Sequence, residues 1–303
     1  MTLANVPLLM AVVPGDIELI AAPPKKRGKV ATYVRRHPTI VVGGGLLALM
    51  LALALFAPFL GTSDPTALSP AHRLRWPSTE YWFGTDTMGR DVYSRTIYGA
   101  RVSLAVGISV ALLATGLGLF IGLVTGLHRW ADAIVMRIMD GVMSIPGVLI
   151  AIALMALTRA SMGNVIFAIT VAEVPRVTRL VRSVVLTLRE QPFVEAAIAS
   201  GTTQIRTMWR HIVPNTLATL LVQGTYIAAS AMITEAILSF IGAGTPPTIP
   251  SWGNIMAEGR SVFLVAYYIV LFPGIFLSLA VLAINLLGDG LRDALDPRLA
   301  RRL

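Results

Sequence analysis

The sequence contains no cysteine and little charge. None of its 303 residues is Cys, and only 14% are Asp, Glu, Lys or Arg, whereas soluble domains average about 25% charged residues. The lack of Cys excludes disulfides, thiolate zinc sites, iron–sulfur clusters and a cysteine nucleophile. The scarcity of charge, with 55% hydrophobic residues and a mean hydropathy of +0.73, favours an all-α integral membrane protein.

Signatures of chemistry within the chain are also missing. All three lysines lie between positions 25 and 29, and none completes the phosphate-binding pattern G-x-x-x-x-G-K-[ST]. The four histidines are scattered without metal-ligand spacing, and no G-x-S-x-G nucleophile motif occurs. We therefore expect no catalytic residue, no metal site and no bound cofactor in this chain.

Long apolar runs predict membrane-spanning helices. A helix needs about 20 apolar residues to cross the hydrocarbon layer. The fourth run is weak, since Glu173 interrupts it and Pro175 follows it. We expect six transmembrane helices, in the runs 39–60, 102–127, 141–158, 163–174, 212–234 and 261–288.

The distribution of basic residues predicts the orientation. Residues 25–36 hold six basic side chains and no acid, and residues 176–210 hold six Arg against two Glu. By the positive-inside tendency both stretches are cytoplasmic, so the net charge of +9 indicates topology and not a nucleic-acid partner. The expected order is a cytoplasmic tail 1–38, a first helix 39–60, an external segment 61–101, a core 102–288 and a cytoplasmic tail 289–303.

Small residues and prolines indicate helix contacts. Gly118, Gly122 and Gly126 recur every fourth residue, which lets another helix approach closely. The partner helix could belong to this chain or to another subunit. Pro146 and Pro273 lie inside predicted spans and should kink them.

The stretch 189–214 predicts two short helices around a hinge. Pro192 suits a first helical turn, and Glu195 is favoured near that helix's N-terminus. Gly201 permits the bend, after which Thr202 or Thr203 can cap a second helix that ends where Pro214 opens the fifth span. Such an element could dock into a groove of a partner protein or lie on lipid.

The spacing of this stretch resembles a known family. Glu195-Ala196-Ala197, three residues, Gly201 and then Pro214 resemble the cytoplasmic loop of binding-protein-dependent ABC importer permeases. The flanks 188–191 and 211–215 look like the dipeptide, oligopeptide and nickel branch. So do the segments 84–95, 98–101, 235–240, 250–253, 272–274 and 285–297. The resemblance covers about residues 38–299 and is closest to the C-type, or second, permease subunit.

The resemblance implies a fold and a set of partners. The fold would be the type I ABC importer fold with six helices and a cytoplasmic coupling helix in the bacterial cell (inner) membrane. The partners would be a paralogous B-type permease, one or two ABC ATPases that bind ATP and Mg, an external solute-binding protein and membrane lipid. The residues implied in ATPase docking are Arg189, Glu195, Ala196, Ala197, Gly201, Arg210 and Pro214.

The expected activity is half of a translocation path, with peptides as cargo. Nickel or another small solute is the alternative cargo within the same class. Two other classes stay open: an ATP-independent secondary transporter or channel subunit, which would need paired acids in the membrane, and a membrane anchor without transport.

A second group of polar residues lies toward the external side. Asp86, Arg90, Asp91 and Arg95 could close an external gate or contact the binding protein, or could only hold the turns of their loop through salt bridges. Glu235 lies near the external end of the fifth span, where an ionisable group is a functional candidate. A packing or gating hydrogen bond is the expectation for Glu235, with a pathway role as the alternative.

Overall fold

The computed structural model describes residues 37–295, and within that range the chain is helical, with one isolated bridge between Thr85 and Asp91 in place of any strand. The predicted cytoplasmic tail 1–38 lies almost wholly outside the described residues, as does the end of the tail 289–303. The helices are α1 Pro38–Leu55, α2 Val92–Leu127, α3 Arg129–Met143, α4 Gly147–Leu157, α5 Met162–Arg189, α6 Pro192–Ala199, α7 Gln204–Thr207, α8 Val213–Phe240, α9 Trp252–Gly259 and α10 Tyr268–Leu295.

Four helical stretches of the described range are long and apolar enough to cross a membrane: α1, α2, the continuous stretch Gln204–Phe240, and α10. The pair α3 and α4 would be a fifth if it is one broken span, since its two halves meet at 88°. The fourth predicted span corresponds to α5, which has 28 residues but carries one Glu and four Arg. The count of six therefore stays a prediction.

Helix α2 begins ten residues before the uncharged run from which it was predicted. The Asp91 side chain caps it by accepting hydrogen bonds from the backbone N–H groups of Tyr93 and Ser94. Arg95 and Arg101 lie inside the helix because both find partners: Arg101 donates to the carbonyl oxygens of Ala54 and Leu55 at the end of α1. Satisfied charges thus extend the helix beyond its apolar run.

Helix α5 continues through Pro175, which the sequence placed at the end of the fourth span. Proline removes one backbone donor from a helix, but the residues that follow are held by packing. Val177, Val181 and Val185 are fully buried against α2. The span expected to end at residue 174 is therefore the first half of a helix that reaches Arg189.

The glycine ridge of α2 receives these valines. A Cβ atom built at Gly122 would lie 2.6 Å from the Cβ of Val181, and Gly118 and Gly126 meet Val177 and Val185 in the same way. The ridge is therefore a contact within this chain, which was one of its two predicted uses.

Pro146 breaks the third predicted span completely. It precedes α4, and the segment Ser144–Pro146 turns the chain by 88° between α3 and α4. The sixth predicted span also differs, because α10 begins at Tyr268 and not at Ser261. The short helix α9 and a 3₁₀ turn, Arg260–Val262, come before it.

The second of the two short helices predicted in the stretch 189–214 does not end at Pro214. Helix α7 passes through a π-helical turn, Met208–Ile212, directly into α8. The wide turn accommodates the missing donor of Pro214, because the N–H of Val213 reaches the carbonyl of Met208 and the Asn215 side chain donates to the His211 carbonyl at 2.6 Å. Between Pro192 and Pro214 the chain therefore bends at Gly201.

Candidate functional site

Helix α6 forms a small platform at one end of the bundle. Val194 is buried and anchors α6, whereas Glu195 and Ala196 are exposed and Ala197 is half-buried. Four large apolar side chains around the platform remain exposed, namely Phe193, Ile198, Ile205 and Trp209. We call this exposed group, together with Glu195 and Ala196, the α6 surface.

Gly201 ends α6 in a conformation that favours glycine. Its φ is +81°, its N–H donates to the carbonyl of Ile198 at 2.9 Å, and the N–H of Thr202 donates to the carbonyl of Ala197 at 3.1 Å. This pair of bonds is the Schellman arrangement that closes a helix C-terminus. The predicted bend is therefore present, and Thr203 begins the next helix without a capping bond from its side chain.

A groove of about 530 Å³ separates α6 from the start of the continuous helical stretch Gln204–Phe240. Phe193 and Ala196 line one wall, and Arg206, Arg210 and His211 line the other. Arg206 and Arg210 are exposed and form no ion pair with any described residue. The groove thus offers two available cations beside an apolar platform, and Pro214 lies exposed just beyond it.

Arg189, predicted to face a partner, has a partner within the chain. Its Nη1 atom donates to the carbonyl oxygen of Gly126 at 2.7 Å, although the side chain stays exposed. This bond ties the end of α5 to the end of α2. It fixes the position from which the short segment into α6 departs.

A buried ion cluster lies at the opposite end of the bundle, formed by Asp86, Arg90, Arg95 and Glu258. Asp86 Oδ2 lies 2.6 Å from Arg90 Nε and 2.5 Å from Arg95 Nη1. Glu258 Oε2 lies 2.5 Å from the nearest guanidinium nitrogen of each Arg. The cluster is neutral and joins the loop before α2 to helix α9.

The same loop is shaped by its backbone. Asp86 Oδ1 accepts hydrogen bonds from the N–H groups of Met88 and Arg90, and Gly89 has a φ of +77° with its Cα packed against the Ser69 carbonyl. Asp91 does not join the cluster, because it caps α2. The geometry favours the use of these residues in holding the loop, which was one of the two predicted alternatives.

Glu258 was missed at the sequence level. It lies 163 residues beyond Arg95 in the chain, and no spacing rule links the two. The one available signal was an isolated acid shortly after the Pro250-Ser251-Trp252-Gly253 segment.

Glu235 is fully buried near the end of α8. Its Oε1 atom accepts a hydrogen bond from Ser239 at 2.8 Å, and the Thr245 hydroxyl lies 3.4 Å away. The Asn254 side chain in turn donates to the carbonyls of Thr245, Pro246 and Ile249. The carboxylate therefore organises the loop between α8 and α9 and does not reach the surface.

Helix α9 is held from several sides. Trp252 is buried, its Nε1–H donates to the Thr96 carbonyl at 3.0 Å, and a Cβ atom at Gly99 would lie 3.3 Å from its ring. Gly253 packs directly on Ala236 of α8. Together with Glu258 and Asn254, these contacts make α9 a fixed element between α2 and α8.

No group of three or more His, Cys, Asp or Glu in residues 37–295 is arranged to hold a metal ion.

Two known families together match most of the described residues. Residues 114–301 match the family described as the binding-protein-dependent transport system inner membrane component. Residues 29–77 match the N-terminal transmembrane domain of oligopeptide transport permease C.

Individual relatives agree with these matches. The chain is 52% identical to a probable peptide ABC transporter permease protein of Sinorhizobium fredii, over 90% of this chain and 94% of the relative. It is 40% identical to the dipeptide transport system permease protein of Alkalihalophilus pseudofirmus, over 88% of each chain. A glutathione transport system permease protein of Pectobacterium atrosepticum is 39% identical over 88% of this chain and 89% of its own length.

A solved structure shares the fold. The match is to a chain of the inward-facing MetNI methionine ABC transporter, with a TM-score of 0.53 and 21% identity, over 66% of this chain and 95% of that chain. This likeness concerns the helical architecture.

Proposed function

Because the chain belongs to the family of inner membrane components of binding-protein-dependent transport systems, we propose that it is the C-type permease subunit of an ATP-driven peptide importer. The family membership confirms what the motifs predicted, and a permease of this family is not an enzyme. The match of residues 29–77 to oligopeptide transport permease C supports the C-type assignment.

Peptide is the proposed cargo. The relatives carry the names of peptide, dipeptide and glutathione permeases, and glutathione is itself a short peptide. This shared chemistry favours peptides over the nickel alternative.

The observation that carries the mechanism is the α6 surface beside its basic groove. A short helix with exposed apolar side chains is a shape that docks into a cleft of a partner protein. Arg206 and Arg210 supply positive charge at its edge, which suits acidic groups on that partner. We assign the α6 surface to docking of an ABC ATPase, which would bind ATP and Mg; a B-type permease and an external solute-binding protein would complete the transporter.

The proposed orientation places α6 in the cytoplasm of a bacterial cell. The six Arg of residues 176–210 support it through the positive-inside tendency. The ion cluster of Asp86, Arg90, Arg95 and Glu258 would then face outward, where it holds the external loop.

Replacing an exposed residue of the α6 surface tests this assignment. Ile198→Asp places a charge on the platform without disturbing the core, since Ile198 is exposed. The variant should insert into the membrane at normal yield but lose copurification of the ATPase and peptide uptake. Leu264→Asp, at a 98% exposed position at the other end of the bundle, is the matched control and should keep the ATPase. Normal ATPase recovery with Ile198→Asp would refute docking at α6.

A further inference from the structure

Helix α3 leaves a stripe of large apolar side chains uncovered. Trp130, Ile134 and Ile138 are 72%, 54% and 56% exposed. They are spaced four residues apart, which places them on one face of the helix. Ala131, seven residues before Ile138, lies at the edge of this face and is buried.

The acids and the arginines of α3 differ in whether they are paired. Asp132 pairs with Arg182, and Asp140 Oδ1 lies 2.5 Å from Arg179 Nη2, so both acids are satisfied by α5. Arg129 and Arg137 are exposed and form no ion pair with any residue from 37 to 295. The exposed surface of α3 therefore carries the apolar stripe and, beside it, two arginines that no described acid compensates, whereas the exposed Asp140 is compensated by Arg179.

The helix lies across the bundle at the end that carries α6. It starts two residues after α2 ends, and the end of α2 is tied to the end of α5 by the bond between Arg189 and Gly126. Helix α4 packs along α5, and α3 is turned by 88° from α4. An amphipathic helix in this position is suited to lie in the plane of the membrane interface.

We propose that α3 binds the anionic lipid surface of the cytoplasmic leaflet. Trp130, Ile134 and Ile138 enter the boundary between headgroups and acyl chains, and Arg129 and Arg137 contact lipid phosphates. The positive charge of the two arginines favours anionic lipid over a second protein helix as the group that covers this face of α3. A protein partner that covered Ile134 and Ile138 would also desolvate Arg137 and would need an acid to pair with it, whereas anionic headgroups supply negative charge along the whole helix.

The proposal depends on the orientation given under the proposed function, with α6 in the cytoplasm. That orientation has its own test, the reaction of Ser200→Cys with a membrane-impermeant thiol reagent from each side. A failure of the orientation is thus separable from a failure of lipid binding.

A spin label tests the lipid contact. The chain has no native Cys, so Ile134→Cys and Ile138→Cys each place a single nitroxide on the stripe. The assembled transporter, with cysteine-free partner subunits, is placed in bilayers of phosphatidylcholine with or without phosphatidylglycerol. We expect both labels to be accessible to oxygen and protected from aqueous nickel chelate, more strongly when phosphatidylglycerol is present.

Charge variants provide the control. Arg129→Gln combined with Arg137→Gln should remove the dependence on phosphatidylglycerol, while Arg159→Gln, an exposed arginine between α4 and α5, should leave it intact. Labels fully accessible to the nickel chelate would overturn the proposal in favour of water. Labels shielded from both reagents, whatever the lipid, would overturn it in favour of a protein partner.

Discussion

At the scale of single residues, the groups that cost most to bury are the charges at the end of the bundle opposite α6. Asp86 and Arg95 are almost completely buried, and each is stable there only because its partners neutralise it. Breaking such a pair leaves an uncompensated buried charge, which costs far more than the pair itself contributes. The ion cluster therefore acts as a lock that fixes the loop before α2 on α9.

Arg95→Met tests that lock. The variant leaves Asp86 and Glu258 with Arg90 alone, so we expect a loss of about 3 to 5 kcal/mol in the free energy of unfolding. The measurement is thermal or denaturant unfolding of the purified permease in detergent.

An exposed ion pair provides the comparison. Arg75 and Glu80 lie 3.7 Å apart and are both solvent-accessible, so Arg75→Met should change stability by less than about 1 kcal/mol. Adding Glu258→Gln to Arg95→Met should recover part of the loss. Equal effects of Arg95→Met and Arg75→Met would contradict the assigned role of the cluster.

Gly201 allows a second residue-scale prediction. A Cβ atom there would meet nothing within 4 Å, so the cost of substitution comes from its φ of +81°. Gly201→Val should reduce ATPase copurification, because a β-branched residue disfavours this conformation by about 1 to 2 kcal/mol. Gly201→Asn should keep most of it, because Asn tolerates positive φ. The measurement is the yield of ATPase that copurifies with each variant. Equal yields for Gly201→Val and Gly201→Asn would rule out a requirement for this turn.

At the scale of helices, the close contact of α2 with α5 is the main packing feature of the bundle. Gly122→Ala puts a methyl group 2.6 Å from the Cβ of Val181, and we expect a loss of about 1 to 3 kcal/mol from overpacking. Gly116→Ala is the matched control, since nothing lies within 4 Å of its Cβ position. The midpoint of thermal unfolding should fall only for Gly122→Ala.

Relief of the clash provides an internal check. Val181→Ala added to Gly122→Ala should restore part of the lost stability, because it removes the Val181 Cγ1 atom that lies 2.7 Å from the new Cβ and leaves only the Val181 Cβ close to it. Failure of the second substitution to help would mean that Gly122 is required for another reason.

Helix existence could be predicted from apolar runs, but helix ends could not. Arg95 and Arg101 lie inside α2 because distant groups neutralise or bond them, and no local pattern contains Glu258 or the Ala54 carbonyl. Pro175 lies inside α5 because packing by Val177 and Val181 outweighs one lost backbone bond. Helices α7 and α8 are joined by a π-helical turn. Pro214 and Asn215 predict a helix boundary, and nothing in the local sequence predicts this turn.

In the candidate site, too, locally determined features could be predicted and long-range contacts could not. The α6 turn could be predicted because Pro192, Glu195 and Gly201 act locally on the backbone. The bond of Arg189 to the Gly126 carbonyl and the pairing of Arg95 with Glu258 depend on the tertiary fold, so the sequence did not predict them.

At the scale of the whole molecule, one continuous helix connects the two sites. The stretch Gln204–Phe240 has 37 residues, about 55 Å at 1.5 Å per residue, and runs from the basic groove to Glu235. A movement imposed at α6 would therefore be carried by a rigid helix to the opposite end of the bundle. This continuity replaces the second short helix that the sequence predicted.

Membrane topology is predicted at the same scale. If the predicted span 141–158, which contains α4, and helix α5 each count as one crossing, six crossings put residues 37 and 295 on the same side. Single cysteines at Thr39 and Arg292, tested with an impermeant thiol reagent in sealed vesicles, should react from the same side as Ser200→Cys. Reaction from opposite sides would require an odd number of crossings.

We propose that this permease moves peptides only when a separate ATPase drives it. The most direct test is peptide uptake into vesicles that contain the assembled transporter, with the binding protein outside and ATP inside. We predict uptake that requires ATP hydrolysis, persists with a protonophore and is lost with Ile198→Asp. Uptake that continues without ATP and collapses with a protonophore would show that no ATPase is needed and would indicate a secondary transporter.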